Sequence, residues 1–229
     1  MNAPRRLSAV LFDLDGTLLD TAPDMVAALD ALRAEEAAGP LPYAAARAQV
    51  SNGALGLLRF AFGELPETSR SRLHQRYLEL YAARLAVHTQ LFPGMDAVIG
   101  WLEAATIPWG VVTNKPAALT EPLLATLGLR ARCACVVSGD TTAERKPHPL
   151  PLQHALDAIA SDAARSVYVG DAARDIAAGR AAGMHTIAAL YGYIPPGEVP
   201  QQWGADYHVS DPAALVPLLA QLDARVAVT

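Results

Sequence analysis

Four aspartates, a threonine, an asparagine and a lysine stand where short apolar runs of this 229-residue chain end or where the next helix begins. The run SAVLF at 8–12 is followed by Asp13 and Asp15, and the run IPWGVV at 107–112 by Thr113 and Asn114. The run SVYVG at 166–170 is followed by Asp171, with Asp175 one helical turn on, and Lys146 opens the helical pattern before that run. If the runs are parallel strands, their carboxyl ends form one crevice, the place where open sheets bind ligands. A hydroxyl, an amide, an ammonium and four carboxylates then converge on a single edge. This set suits phosphoryl transfer assisted by a hard cation. A phosphate monoester adds roughly 1.5 to 2 negative charges at neutral pH, so carboxylates alone would repel it. Magnesium, which takes carboxylate, phosphate and water oxygens, supplies positive charge, and Lys146 supplies more. Crowding also raises one carboxyl pKa and leaves that group protonated; Asp15 is the expected holder of the proton.

Each residue then has a role. Asp13 attacks phosphorus to give an aspartyl-phosphate, and Asp15 protonates the departing alkoxide and later takes a proton from water. Gly16 lets the backbone turn after the strand, and Thr17 holds the loop by hydrogen bonding. Thr113, Asn114 and Lys146 grip the transferring oxygens. Asp171 ligates magnesium, and Asp175 orients the ion or its waters from behind. Lys115 is read as a loop residue near the substrate entrance with no chemistry assigned. His148 and His154, six residues apart, fit no compact metal motif and are read as loop or helix-surface residues.

The elements that must position these groups follow from periodicity. Helical patterns at 93–105, 116–128, 147–160 and 172–183 alternate with strand patterns at 107–114, 133–140, 166–171 and 185–190. With residues 8–13 this gives five strands, βαβ units, and a Rossmann-like parallel sheet with helices on both faces. Residues 20–90 carry only amphipathic helical patterns: Met25, Leu29 and Leu32, then Leu73, Tyr77, Leu80, Tyr81 and Arg84. The expected division is an α/β core of 1–19 and 92–229 with an inserted all-α unit of 20–91. Asp20–Pro23 and Gln90–Pro93 form a paired hinge between the two.

Bulk properties narrow the partners. A net charge of −5 offers no basic field for nucleic acid or anionic lipid. No apolar run reaches membrane-spanning length, and Asp13 and Asp15 cut short the one N-terminal stretch resembling a signal peptide. The expectation is a cytoplasmic protein, a monomer or weak homodimer, acting on a small phosphorylated metabolite. Cys133 and Cys135, the only cysteines, cannot close a zinc site by themselves and read as buried strand residues in a reducing compartment.

Together FDLDGT at 12–17, VVTN at 111–114, RKPHP at 145–149 and VGDAARD at 169–175 resemble the four ordered motifs of the haloacid dehalogenase superfamily, in its phosphoglycolate-phosphatase-like branch. The resemblance implies that the side chains of Asp13 and Asp171 and the backbone carbonyl of Asp15 ligate magnesium. Spacing selects the subtype: 99 residues separate Asp13 from Thr113 but only 32 separate Thr113 from Lys146. The cap is therefore the early, helical (C1) kind, which closes over the crevice and excludes water. Its candidate substrate contacts lie in Arg47–Gly53, namely Arg47, Ser51 and Asn52. A dehalogenase would have no use for Asp15 or magnesium, because chloride leaves unprotonated. A β-phosphoglucomutase-like mutase would keep every motif, and a non-catalytic binding protein on this fold would have no need to keep every catalytic position filled. The stretches FPGM, IPWGVVTNKP, YGYIPP and WGAD are similar to relatives that dephosphorylate N-acetylmuramate 6-phosphate in peptidoglycan recycling. The candidate substrates are that compound and 2-phosphoglycolate.

Overall fold

The computed structural model describes residues 7–226. In chain order the elements are β1 (Ala9–Phe12), β2 (Leu19–Asp20), α1 (Ala22–Glu35), α2 (Tyr43–Arg47), α3 (Gly53–Phe62), α4 (Glu67–Ala82), β3 (Gln90–Leu91), α5 (Met95–Ala104) and β4 (Trp109–Val112). They continue with α6 (Ala117–Thr126), β5 (Cys135–Val137), α7 (Leu150–Ala158), β6 (Ser166–Gly170), α8 (Ala173–Ala181), β7 (His185–Ala189), β8 (Tyr207–Val209) and α9 (Leu215–Val226).

Parallel strands covered on both faces need near-continuous apolar sequence, and β1, β4 and β6 are buried throughout. They form the centre of a six-stranded parallel sheet in the order β5-β4-β1-β6-β7-β8. Alternation along each strand sends successive side chains to opposite faces. Val10, Phe12, Val111, Val167 and Val169 pack into one core with residues of α5, α6 and α9. Leu11, Val112 and Tyr168 pack into the other with residues of α7 and α8. The two cysteines are unbonded and buried, Cys133 in the first core and Cys135 in the second. Burial pushes the Cys135 thiol up to about 11.

Phe12 pairs with Val111 on one side and Val169 on the other. Asp13, the next residue, therefore emerges between two strands at the centre of the carboxyl edge. Two features differ from the sequence expectation. A sixth strand, β8, adds to the edge; like β5 it has three residues, but Tyr207 is half-buried and His208 exposed, so no apolar run marks it. Lys146 lies in a loop four residues before α7 rather than at the helix start. Pro147 and Pro149 explain this, since a residue preceding proline is steered out of the helical region. His148 and His154 are exposed, as expected of surface positions.

The segment between β2 and β3 is helical, with α1, α3 and α4 packed on one another. Met25, Leu29, Leu32, Leu73, Tyr77 and Tyr81 are buried, whereas Leu80 is half-buried and Arg84 is exposed beyond the end of α4. Its two chain connections are held together twice. β2 and β3 pair antiparallel, Leu19 opposite Leu91 and Asp20 opposite Gln90. Asp24, wholly buried in the first turn of α1, accepts hydrogen bonds from His88 N (3.0 Å), Thr89 N (2.8 Å) and Thr89 Oγ1 (2.7 Å). Among the described residues no helix is long and apolar enough to cross a membrane. Replacing Asp24 with alanine strands those donors in a buried place. The expected loss is about 2–3 kcal/mol in urea unfolding; a loss below about 0.5 kcal/mol, the ordinary range for a surface substitution, would contradict this account of the connection.

Candidate active site

The loop after β1 turns sharply. Gly16 takes φ +90°, and a Cβ there would collide with the Asp171 carboxylate and the Tyr193 ring, so only glycine fits. Leu18 N and Leu19 N both donate to Leu14 O (3.1 and 2.9 Å), and Gly16 N donates to Leu19 O (3.0 Å). Thr17 is buried, its hydroxyl 3.5 Å from Asp171 Oδ1. That is a marginal hydrogen bond. This compact turn holds Asp13 nearly fully buried.

Below Asp13 sits Lys146, with 3 % of its surface exposed. Its Nζ lies 2.8 Å from Asp13 Oδ1, 2.7 Å from Asp175 Oδ1, 2.9 Å from Val112 O and 2.6 Å from Tyr168 Oη. Tyr168 in turn donates to Val112 O at 2.8 Å. The Lys146 backbone is fixed by Asn114, whose Nδ2 donates to Lys146 O (2.9 Å) and whose Oδ1 accepts from Lys146 N (3.1 Å). Asn114 was expected to grip phosphate. Its side chain instead orients the lysine, because the 145–149 loop has no strand or helix to satisfy its backbone groups. Thr113 keeps a hydroxyl on the cavity wall, accepting from Lys115 N at 3.2 Å, so its proton remains available to a ligand.

Asp171 follows β6. Its Oδ2 accepts from Ser51 Oγ (2.6 Å) and Tyr193 N (2.8 Å). Burial, then the charges of Asp13 and Asp175, push the Asp171 carboxyl up to about 8. Asp175, in the first turn of α8, accepts from Ala172 N with Oδ2 (3.1 Å), in the way an acidic residue closes the start of a helix. Its other oxygen meets Lys146. Burial, first of all, also raises Asp175. Asp13, Asp171 and Asp175 can each direct an oxygen into a space within which those atoms lie no more than 4.8 Å apart. All-oxygen, buried and carboxylate-rich, this set fits a hard divalent cation. Both Asp175 oxygens already have partners within the fold, Ala172 N and Lys146.

Asp15 is separate from this crowd. Its two oxygens face Lys115 Nζ at 2.8 and 3.1 Å, a cation and not another carboxylate. Lys115 is buried, with its ammonium 4.6 Å from the centroid of the Tyr81 ring. Burial opposes its charge, but Asp15 and Tyr81 more than reverse that and raise its pKa. Lys115 thus belongs to the site, contrary to the reading that gave it no chemistry. Arg174, at the start of α8, is the second cation not foreseen. It donates to Ser51 O at 2.6 Å, and Asp175, Asp13 and Asp171 outweigh its desolvation to raise its pKa. Lys115 directly follows VVTN and Arg174 lies within VGDAARD, but their partners appear only in the fold.

A cavity of about 410 Å³ opens above Asp13 and Asp15, bounded on the helical side by Asn52, Leu55, Tyr77 and Tyr81 and on the sheet side by Thr113, Lys115 and Arg174. A larger depression of about 640 Å³ between α3 and α4 holds none of these carboxylates. Of the three expected cap contacts, Asn52 lines the cavity. Ser51 lines it too, but its hydroxyl is bound to Asp171. Arg47 does not reach it: it lies over the Tyr193 ring at 4.6 Å and 3.6 Å from Asp20. If the three carboxylates form a cation site, manganese(II) should lose its free EPR signal on titration with the protein, and Asp171→Asn should prevent this. Wild-type-like binding by that variant would contradict the assignment.

Comparison with known proteins agrees with this geometry. Residues 10–189 match the haloacid dehalogenase-like hydrolase family. A phosphoglycolate phosphatase of Xanthomonas campestris pv. campestris is 47% identical over 94% of this chain and 96% of its own length. An N-acetylmuramic acid 6-phosphate phosphatase of Pseudomonas putida is 43% identical over 92% and 95%. Among solved structures, CbbY of Rhodobacter sphaeroides in complex with phosphate superposes with a TM-score of 0.74 at 23% identity, covering 91% of this chain and 96% of that one. A haloacid dehalogenase-like hydrolase of Streptococcus pneumoniae reaches a TM-score of 0.80 at 20% identity, over 93% and 98%. The carboxyl-edge site, the family match and the relatives over nearly the full length agree, and the chain belongs to the haloacid dehalogenase-like hydrolases.

Proposed function

We propose that this phosphatase cleaves the phosphate monoester of a small metabolite through an aspartyl-phosphate on Asp13. The observation that carries the reading is the placement of Asp13 at the floor of the cavity, one oxygen held by Lys146 at 2.8 Å. With that oxygen engaged, the carboxylate is oriented for the other to attack phosphorus, forming an O–P bond as the ester P–O bond breaks. Asp15, two residues on at the cavity wall, delivers to the departing alkoxide a proton shared with the Lys115 ammonium that faces both its oxygens at 2.8 and 3.1 Å. It recovers a proton from the water that then cleaves the acyl phosphate. Thr113, with its hydroxyl proton available, stabilises the transferring oxygens directly, whereas the Lys146 ammonium, its donors already engaged, acts by holding Asp13. Asn114 acts through Lys146.

Four carboxylates and the cations Lys115, Arg145, Lys146 and Arg174 leave the site with no net formal positive charge. Magnesium held by Asp13, Asp171 and the Asp15 carbonyl would bring the positive charge that an incoming phosphate dianion requires. Thr17 and Asp175 support that set from the loop and from α8.

The cavity volume of about 410 Å³ lies within the range that encloses a drug-sized ligand, and apolar side chains of Val50, Leu55, Leu78 and Leu119 line it. A sugar-sized alcohol uses this space and a two-carbon acid does not. N-acetylmuramate 6-phosphate is therefore favoured over 2-phosphoglycolate. A cytoplasmic setting, with neither nucleic acid nor membrane as partner, and a monomer or weak homodimer go with this reading. Side-by-side kcat/KM values test it, with Asp13→Asn as the blank. The expected result is at least a tenfold preference for the sugar phosphate, with no turnover by the variant. Equal poor rates on both compounds would contradict the substrate assignment, and substantial turnover by Asp13→Asn the covalent mechanism.

A further inference from the structure

Tyr77 and Tyr81 stand one turn apart on α4, their rings stacked at 6.3 Å and 15°, and both are buried against the cavity. Their hydroxyls differ. Tyr77 Oη donates to Met25 O at 3.2 Å, so its polar end is satisfied within the fold. Tyr81 Oη is buried and makes no hydrogen bond of ordinary geometry; the Lys115 ammonium beside it can only donate, so the phenol proton has no acceptor. Buried polar groups are nearly always paired, and an orphan calls for a reason. A phenylalanine would fill the same volume without that cost.

We infer that Tyr81 Oη is a specificity-determining donor for an acceptor oxygen, a carboxylate, amide carbonyl or hydroxyl, on the alcohol portion of the substrate. The inference rests on the phosphatase reading and extends it from the phosphate to the leaving group. The position supports the assignment. Lys115 links Tyr81 to Asp15, with its Nζ 4.6 Å from the ring centroid and 2.8 Å from Asp15 Oδ1. Asp15 serves the departing oxygen, so the group beside Tyr81 belongs to the alcohol and not to the transferred phosphoryl. Burial keeps the phenol protonated, with the Lys115 charge offsetting only part of the shift. Tyr81 therefore presents a proton to the ligand, never a negative charge. The hydrogen bond it makes replaces one that the alcohol loses on leaving water, so an alcohol without an acceptor there gains nothing from it.

The test compares Tyr81→Phe with Tyr77→Phe on two substrates, N-acetylmuramate 6-phosphate and phenyl phosphate, whose leaving group has no second oxygen. The readouts are thermal stability and the ratio of the two kcat/KM values. Tyr81→Phe should lower that ratio tenfold or more, mainly through KM, and leave Tm unchanged or raised, because no internal bond is lost. Tyr77→Phe should lower Tm and leave the ratio near that of the wild type. An unchanged ratio in Tyr81→Phe overturns the inference, as does a fall in Tm matching that of Tyr77→Phe. If the wild-type protein hydrolyses neither substrate, the phosphatase reading falls first and this assignment with it. A wild type active on both substrates isolates the inference from that reading.

Discussion

A single buried ammonium makes this carboxylate site possible. Three acidic side chains within 4.8 Å of one another and shut away from water repel strongly in a medium of low polarity. Lys146 meets two of them at 2.8 and 2.7 Å, and two neutral oxygens, Val112 O and Tyr168 Oη, complete its surroundings. Burying an isolated lysine is costly, and what offsets the cost here is this full set of acceptors. The arrangement also orients Asp13, since one oxygen is committed to the lysine and the other is left for chemistry.

The rest of the molecule serves to hold that ammonium and its partners in register. Strands β1, β4 and β6 lie side by side, so residues far apart in sequence finish on one edge. Val112 and Tyr168 contribute to the Lys146 site from within the strands themselves. Asn114 ties down the loop that carries the lysine. The helical segment adds the far wall and reaches into the site through Ser51, bonded to Asp171, while Arg174 reaches back to Ser51 O. Tyr193 joins the first of the two chain connections to the site: its N–H donates to Asp171, its hydroxyl donates to Asp20 at 2.6 Å and accepts from Ala22 N at 2.9 Å, and Arg47 lies over its ring. The β2–α1 connection is thus tied through Tyr193 to a carboxylate of the candidate cation site.

Most of this was legible where local sequence determines the outcome. Five of the six strands of the main sheet, the helical insertion, the carboxyl-end aspartates and Lys146 follow from apolar runs and the residues that end them. What escaped depends on contacts between distant segments. β8 is held by pairing with β7 and not by its own pattern. Lys115 looks like an ordinary loop lysine until the fold sets Asp15 beside it, 100 residues away in sequence. Asn114 and Ser51 were assigned to substrate because polar groups near a crevice invite that reading; their actual partners, the Lys146 backbone and Asp171, appear only in three dimensions. Arg47 was misplaced for the same reason, its helix turning it toward Tyr193 and Asp20.

The account stands on Asp13 as the nucleophile, and the most direct measurement is to capture phosphate on it. An aryl phosphate with a good leaving group departs without a proton, so Asp15→Asn should still be phosphorylated while the water-driven second step is slowed. Acid quenching of that variant with labelled aryl phosphate and magnesium should yield hydroxylamine-sensitive label on the peptide containing Asp13. Label on another residue would contradict the account, as would continuing turnover with no protein-bound label at any quench time.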